Sequence, residues 1–205
     1  MAAPSLAVDW RFADAEFARL VSLLTSISAL PPAHRKLVAE IMMVRLFLLV
    51  ENTIRSVFAK IHCNCNYLDG TAPRRLVAAR SQTHAFDLMR THGRAIPKKS
   101  LGWSQSSDIR DNALYTLDGT DPAFLVVTAH AAQLTDMRFV RNHIAHKNDG
   151  TRRNFHKLLR KHYGGIRRGV TCGSLLLTEF VPGAPVLLSQ YLTSSRVFLK
   201  LLMHA

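Results

Sequence analysis

The chain of 205 residues is poor in cysteine, in acidic residues and in long apolar runs. Its three cysteines, Cys63, Cys65 and Cys172, are an odd and sparse set, which favours a reducing compartment over a disulfide framework. The longest apolar stretch, 44–50, is interrupted by Arg45 and is too short to span a membrane. The first eight residues lack a basic start followed by an apolar run. We therefore expect no export signal and a cytoplasmic location.

Motifs of several enzyme classes are also missing. No glycine-rich phosphate loop and no dinucleotide-binding fingerprint occurs in the sequence. His62, Cys63 and Cys65 are spaced like half of a zinc site, but the second pair of ligands that a structural zinc ion needs is absent. No pattern marks a base beside any cysteine, which argues against a cysteine nucleophile. We expect the protein to use no metal ion and no cofactor.

The shortage of acidic residues leaves a strongly basic chain. Lysine and arginine number 27 against 14 acidic residues, which gives a net charge of +13. Residues 138–168 hold ten of these basic residues and a single acid, Asp149. A charge run is usually just a solvated face, but such a field also attracts polyanions. The candidate RNA-binding residues in this segment are Lys147, Arg152, Arg153 and Lys157.

Composition and periodicity predict an all-α helical bundle. An apolar fraction of 48% with 20% charged residues is typical of a globular protein, and the length suits one domain, 1–205. We expect a core over about 9–150, followed by a basic helix and a C-terminal extension over about 151–205. Apolar spacing and Gly or Pro punctuation predict helices at about 9–30, 33–62, 71–93, 121–149, 152–163 and from 185 onward.

Two segments between these helices are harder to interpret. Residues 94–111 form a long polar loop with several basic residues, and loops of this length are often functional. Within it, Trp103 either stacks on a base or packs onto the core. The apolar run 175–181 is consistent with a strand or with an extended clasp.

The stretch Arg141-Asn142-His143-Ile144-Ala145-His146 lies near the end of the predicted 121–149 helix. Asp121 can cap this helix, and Pro122 suits its first position. At roughly 100° per residue, Asn142 and His146 lie almost above one another on a polar face. His143 lies beside them, and it either lines the same groove or is an exposed spectator. Arg141 lies about 140° from His146, near the edge of the buried stripe.

The spacing Arg-Asn-x-x-x-His at 141–146 resembles the signature of the HEPN superfamily, the higher eukaryote and prokaryote nucleotide-binding domains. In that family an Arg followed by a polar residue precedes a His by four to six residues. The family often carries an acidic residue late in an earlier helix, where this chain has Glu51. Glu51 pairs either with Arg141 or with Arg55 at i+4. Arg-Arg-Gly at 167–169 is similar to the stand-alone subgroup named for RiboL-PSP.

The resemblance implies a metal-independent endoribonuclease that acts as a homodimer with a composite site. Arg141 and His146 would be catalytic, and Asn142, His143 and Glu51 would support them. A histidine suits proton transfer because its ordinary pKa is about 6.5, and an arginine suits phosphate because its planar fork stays charged. In one chain Arg141 and His146 point apart on a straight helix, so two copies meeting across a two-fold axis are expected.

Stand-alone domains of this family commonly serve as toxins or as antiphage-defence effectors that cut tRNA, mRNA or rRNA. The expected partners are therefore RNA, a second copy of the chain and an antitoxin or other regulatory protein, with no membrane. Two other interpretations remain open. One is a non-catalytic module that binds RNA or a nucleotide, and the other is a small basic DNA-binding protein, against which no helix-turn-helix start is apparent.

Overall fold

The computed structural model describes residues 4–204, and these residues fold into nine α-helices without a strand. The helices are α1 Leu6–Ser26, α2 Pro32–His62, α3 Gln82–Thr91, α4 Ser106–Ala113, α5 Pro122–Ala129, α6 Ala131–Ala145, α7 Asp149–Tyr163, α8 Cys172–Leu176 and α9 Leu187–Leu202. A 3-10 turn, Ile27–Ala29, follows α1, where the sequence predicted one helix over about 9–30. The predicted all-α fold class is confirmed.

Helix α2 is the central element of the bundle. Pro32 occupies its first turn, and no Gly or Pro interrupts it before His62, so its bounds agree with the prediction of about 33–62. Helices α1, α3, α6, α8 and α9 all pack against it. Its buried side, which includes Met42, Leu46 and Ile54, is inaccessible to solvent. Burial of this apolar side is the main favourable contribution to the fold.

One cluster of buried apolar side chains runs through the molecule from Leu6 to Met203. Helix α9 belongs to the predicted C-terminal extension, yet Phe198, Leu199 and Leu202 are fully buried within this cluster. Helix α9 packs against α1, α2 and α5. None of the helices in the part of the chain that the structure describes is long and apolar enough to cross a membrane.

The apolar run 175–181 is neither the strand nor the extended clasp that the sequence suggested. The first two residues of this run, 175 and 176, belong to helix α8. Thr171 caps α8 by accepting a hydrogen bond from Ser174 N at 3.1 Å. A Cβ atom at Gly173 would lie 2.3 Å from the carbonyl oxygen of Lys36. The absence of a side chain at Gly173 therefore allows α8 to approach the backbone of α2.

The helix predicted over 71–93 begins eleven residues later than expected, at Gln82. Ser81 caps α3 at Gln82, where its hydroxyl accepts from His84 N at 3.2 Å. Residues 71–81 instead bond to the loop before α5, since Arg74 N donates to Asp121 Oδ2 at 2.8 Å. Leu76 N donates to the carbonyl of Thr116 at 3.1 Å. These long-range bonds replace the local ones that a helix would use.

The predicted 121–149 helix is two helices. Asp121 caps α5 as expected, accepting from Ala123 N at 2.9 Å. At His130 the backbone leaves helical geometry, with φ −100° and ψ 12°, and the His130 ring bonds to the carbonyl of Val126 at 3.0 Å. Helix α5 packs against α9 and α4, whereas α6 packs against α2 and α7. The break allows the two segments to bury their apolar sides against different neighbours.

The predicted loop 94–111 is shorter than expected, because α4 begins at Ser106. Trp103 is buried and packs against Phe58 and Phe86, with ring centroids 5.7 and 6.3 Å away. The alternative in which Trp103 stacks on a base is therefore wrong, because only 5% of this residue is exposed.

Stability is expected to fall as the pH drops below about 6.5, because buried histidines resist protonation. His62 is inaccessible to solvent and bonds to the Phe58 carbonyl at 2.6 Å and to Thr116 Oγ1 at 2.8 Å. Burial lowers the pKa of His62 below its ordinary value, so the unfolded chain binds a proton that the folded chain does not. The free energy of unfolding should decrease by up to about 1.4 kcal/mol per pH unit for this one proton.

Urea denaturation between pH 7.5 and 5 measures this slope. The His62→Gln variant should show a shallower slope, whereas the matched change at the exposed His92, His92→Gln, should leave the slope unchanged. A His62→Gln slope as steep as that of the unaltered chain would contradict this assignment.

Candidate functional site

The motif residues 141–146 lie at the carboxyl end of α6 and in the short turn that leads to α7. The helix ends at Ala145, so His146 is its C-cap, with an extended φ of −139° and ψ of 91°. The expected placement of His146 above Asn142 on a continued helix is therefore wrong. The turn changes the direction in which His146 leaves the backbone.

Arg141 is half-buried and its guanidinium lies over the ring of Phe47 on α2, 5.7 Å from the centroid. One terminal nitrogen of Arg141 donates to Asn142 Oδ1 at 3.0 Å. Its Nε atom is buried and has no hydrogen-bond partner among residues 4–204. Asn142 therefore orients the guanidinium, which keeps donor capacity for an anion.

His143 is fixed by neighbours from α7. Its ring stacks on Phe155 with centroids 4.7 Å apart, and its Nδ1 lies 3.3 Å from Thr151 Oγ1. Burial, followed by the charges of Lys147 and His156, lowers the pKa of His143. The sequence left two alternatives for His143, a groove-lining residue or an exposed spectator. Neither describes His143 fully. His143 is a half-buried, uncharged ring that joins α6 to α7.

His146 combines a fixed backbone with an exposed side chain. Its backbone N–H donates to the Asn142 carbonyl at 2.8 Å, and its own carbonyl accepts from Asn148 N at 2.9 Å and from the Thr151 hydroxyl. Its imidazole makes no hydrogen bond or ring contact with the described residues and is open to solvent. The ring is therefore available for proton transfer.

Thr151 holds the turn together. Its hydroxyl contacts His143 and the carbonyls of His146 and Asn148, and Asn148 and Thr151 form a reciprocal capping box at the start of α7. Thr151 was not among the residues predicted from the sequence, although Asn148-x-x-Thr151 has the spacing of a capping box and could have identified it.

Glu51 forms neither of the salt bridges that the sequence suggested. It is half-buried on α2, and it has no ion pair with Arg141 or with Arg55 in the part of the chain that the structure describes. The acidic group associated with the motif is instead Glu40, one of whose oxygens accepts from Gly173 N at 2.8 Å. The charge of Glu40 acts to raise the pKa of His143. No local pattern marks Glu40, since it lies about 100 residues before the motif.

The four predicted RNA-binding residues are all exposed on the turn and on α7. Arg152 pairs with Asp149 at 2.9 Å, and Lys157 lies over the ring of Phe139, 5.8 Å from its centroid. Lys147 and Arg153 form no salt bridge with any described residue. A basic surface therefore begins directly at the exposed imidazole of His146.

An apolar stripe on α2 borders the motif on its other side. Leu37, Ile41, Val44 and Leu48 recur at helical spacing, and we call them the α2 stripe. Leu37, Ile41 and Leu48 are 56%, 58% and 41% exposed. With Ile144 of α6, the stripe lines a groove of about 510 Å³.

A second groove continues this apolar surface. It shares Arg45 and Leu48 with the first groove, and it includes Phe12 of α1, which is 63% exposed. Arg45 forms an ion pair with Glu16 at 2.7 Å. Large contiguous apolar patches on a protein surface often mark interaction sites.

Within one chain the site holds a guanidinium and an exposed imidazole at the same end of α6. Arg141 and His146 are brought to one end of the helix, but Arg141 faces α2 and His146 projects from the turn. No group of three His, Cys, Asp or Glu side chains with metal-site geometry occurs between residues 4 and 204. Cys172 has its pKa raised to about 12 by burial, so it is a poor nucleophile.

Comparisons of this chain with protein-family models, with curated proteins and with solved structures find no match.

Proposed function

We propose that this protein is a metal-independent endoribonuclease of HEPN type that acts as a homodimer. The observation that carries the proposal is that one end of α6 presents both an oriented guanidinium, Arg141, and an exposed imidazole, His146, at the start of a basic surface. The two groups supply the charge stabilisation and the proton transfer that RNA cleavage requires.

The exposed α2 stripe supports the homodimer. A second copy seated on the stripe and Ile144 would cover apolar side chains that are otherwise in water, which favours association. Because Ile144 belongs both to the groove and to the motif, the partner's motif would come close to the first. A two-fold arrangement of this kind supplies two guanidiniums and two imidazoles to one groove.

The reaction needs no group beyond these. One His146 imidazole takes the proton of a ribose 2′-OH, and the resulting oxygen forms a bond with the adjacent phosphorus. The bond from phosphorus to the 5′ oxygen breaks, and the other His146, as an imidazolium, protonates that oxygen. Arg141 offsets the charge on the equatorial oxygens in the transition state. The products carry a 2′,3′-cyclic phosphate and a 5′-OH.

The same proposal places the protein among toxins or antiphage-defence effectors of the cytoplasm. An unrestrained ribonuclease of this kind would damage its own cell, so a regulatory partner protein or antitoxin would accompany it. The RNA would be a tRNA, an mRNA or an rRNA.

A second candidate function is a non-catalytic module that binds RNA or a nucleotide. The contacts of Arg141 favour it, because a guanidinium that lies over Phe47 and bonds to Asn142 has to be turned before it reaches a phosphate in solvent. The basic surface would then act without the imidazole.

The test compares RNA from cells that express the unaltered chain with RNA from cells that express His146→Ala. New 5′-OH and 2′,3′-cyclic phosphate ends should appear only with the unaltered chain. The purified protein should cut a susceptible RNA equally well with and without EDTA. A DNA strand of the same sequence should be bound but not cut, because it lacks the attacking 2′-OH.

Binding of RNA without any new ends would support the non-catalytic module. Equal cutting of DNA, or loss of cutting in EDTA, would contradict the proposed chemistry.

A further inference from the structure

A polar pocket of about 320 Å³ lies where α6, α7 and α9 meet, at the other end of the α6–α7 pair from the motif turn. We call it the three-helix pocket. Its principal lining residues are Asp136, Lys161, His162, Leu187, Gln190 and Tyr191. None of these residues takes part in the proposed cleavage.

Two buried polar atoms in this pocket lack partners. Tyr191 is 6% exposed, and its hydroxyl has no hydrogen-bond partner among the residues that the structure describes. His162 Nε2 is likewise buried and unpaired. Leaving a hydroxyl or a ring nitrogen buried without a partner is costly, and such groups are rare in native proteins. Both residues belong to the lining of one pocket, so a molecule bound there is the candidate partner for the two atoms.

The remaining groups define the chemistry of that molecule. Asp136 Oδ2 accepts from the Lys161 ammonium, which leaves Oδ1 to accept from a ligand. The His162 ring stacks on Phe180 with centroids 4.8 Å apart, and burial lowers the pKa of His162, so the ring is neutral near pH 7. The pocket thus holds a neutral imidazole, a hydroxyl and a charge-balanced ion pair, with Leu187 as an apolar wall.

These groups suit an uncharged molecule with both donors and acceptors on its edge. A free phosphate would meet no unpaired cation, because Lys161 is already paired with Asp136. An apolar ligand would leave the Tyr191 hydroxyl and His162 Nε2 unpaired. The pocket is larger than one water molecule needs. A nucleobase meets all three conditions, since its edge both donates and accepts hydrogen bonds.

Exposed basic residues of α7 connect the motif turn to the three-helix pocket. Arg153, Lys157 and Arg160 are exposed on α7 at spacings of four and three residues, and Lys161 of the pocket follows them. The rise along the helix from Thr151 to Lys161 is about 15 Å. A strand that starts at the motif turn and follows these cations arrives at the pocket.

We propose that the three-helix pocket binds one unstacked base of a single-stranded RNA whose backbone follows the basic side of α7. The inference rests on the proposed function for the identity of the strand. The base pocket itself is independent of cleavage.

The four ribonucleosides, which carry no phosphate, test the pocket without interference from the basic surface. Each is titrated into the full chain up to millimolar concentration, with binding followed by calorimetry. At least one should saturate a single site per chain. Tyr191→Phe should weaken that binding by about tenfold, the effect of one lost hydrogen bond, and His162→Phe should do the same while keeping the stack on Phe180.

The matched control is Tyr115→Phe, which removes a hydroxyl from a tyrosine that is 41% exposed outside the pocket. It should leave nucleoside binding unchanged. Thermal melting gives a second readout. Because the Tyr191 hydroxyl is unpaired in the free protein, Tyr191→Phe should leave the melting temperature unchanged or raise it, whereas a structural hydroxyl would make the variant less stable.

The outcomes separate the two proposals. Absence of saturable binding by all four nucleosides, or unchanged affinity in Tyr191→Phe, would overturn the base pocket while leaving RNA cleavage intact. If nucleoside binding depends on Tyr191 but the protein produces no new RNA ends, the base pocket is supported and the proposed nuclease activity is contradicted.

Discussion

Replacement of His146 by alanine should lower the rate of RNA cleavage by about 10²–10⁴-fold, the usual contribution of a positioned general acid or base. The fold should be unaffected, because the imidazole is exposed and makes no hydrogen bond with the described residues. Initial rates on a fluorescent RNA measure the loss, and circular dichroism checks the fold. His92→Ala, a change at an exposed histidine beside α3, is the matched control and should keep full activity.

Arg141→Ala should cause a comparable loss of rate, since it removes the cation that stabilises the transition state. Arg141→Lys should not restore full activity, because an ammonium lacks the planar fork of the guanidinium. Full activity in either alanine variant would contradict the assignment of the site.

A mixed dimer tests whether the site is shared. Two differently tagged chains, one unaltered and one carrying His146→Ala, are expressed together and purified through both tags. If one groove needs both imidazoles, the mixed dimer should have far less than half the activity of the unaltered dimer. Half the activity would show that each chain works alone.

A charge placed in the α2 stripe should separate the dimer. Ile41→Glu introduces two carboxylates into a two-fold interface, where each loses hydration and the two repel one another. We expect dimer dissociation to be favoured by about 2–3 kcal/mol, or roughly a hundredfold in the dissociation constant. Sedimentation measures the change in mass. RNA cleavage should be lost over the same concentration range in which the dimer is lost.

Ile96→Glu is the matched control for the stripe, because Ile96 is 82% exposed in the loop between α3 and α4. It should leave both the mass and the activity unchanged. A monomeric Ile41→Glu variant with full activity would refute the composite site, and an unaltered chain that is already monomeric would do so as well.

The sequence was sufficient where local rules decide the structure. Helix α2 starts at a proline and contains no later Gly or Pro, so its length follows from the chain alone. Helix α7 ends where predicted because Gly164 adopts a left-handed φ of 71°. The beginning of α7 was predicted three residues late, because the capping role of Asn148 was not recognised.

The sequence was insufficient where contacts with distant residues decide the local structure. Segment 71–81 has a reasonable helical pattern, but Asp121 and Thr116 bind its backbone N–H groups. The break at His130 likewise depends on where α5 and α6 find their partners. Two residues beside the motif, Phe47 and Glu40, belong to α2 and lie about 100 positions before it. The motif predicted which groups matter, whereas their environment required the fold.

The turn between α6 and α7 has a consequence for how His146 moves. Its main chain is tied down on both sides, through Asn142 and through Thr151, so only the two side-chain torsions remain free. The His146 ring can therefore move only by rotation about these two torsions, while its main chain stays in place. In the proposed reaction the RNA backbone would have to come to this ring. The shape of the bound strand, rather than adjustment of the protein, would then decide which phosphodiester reacts.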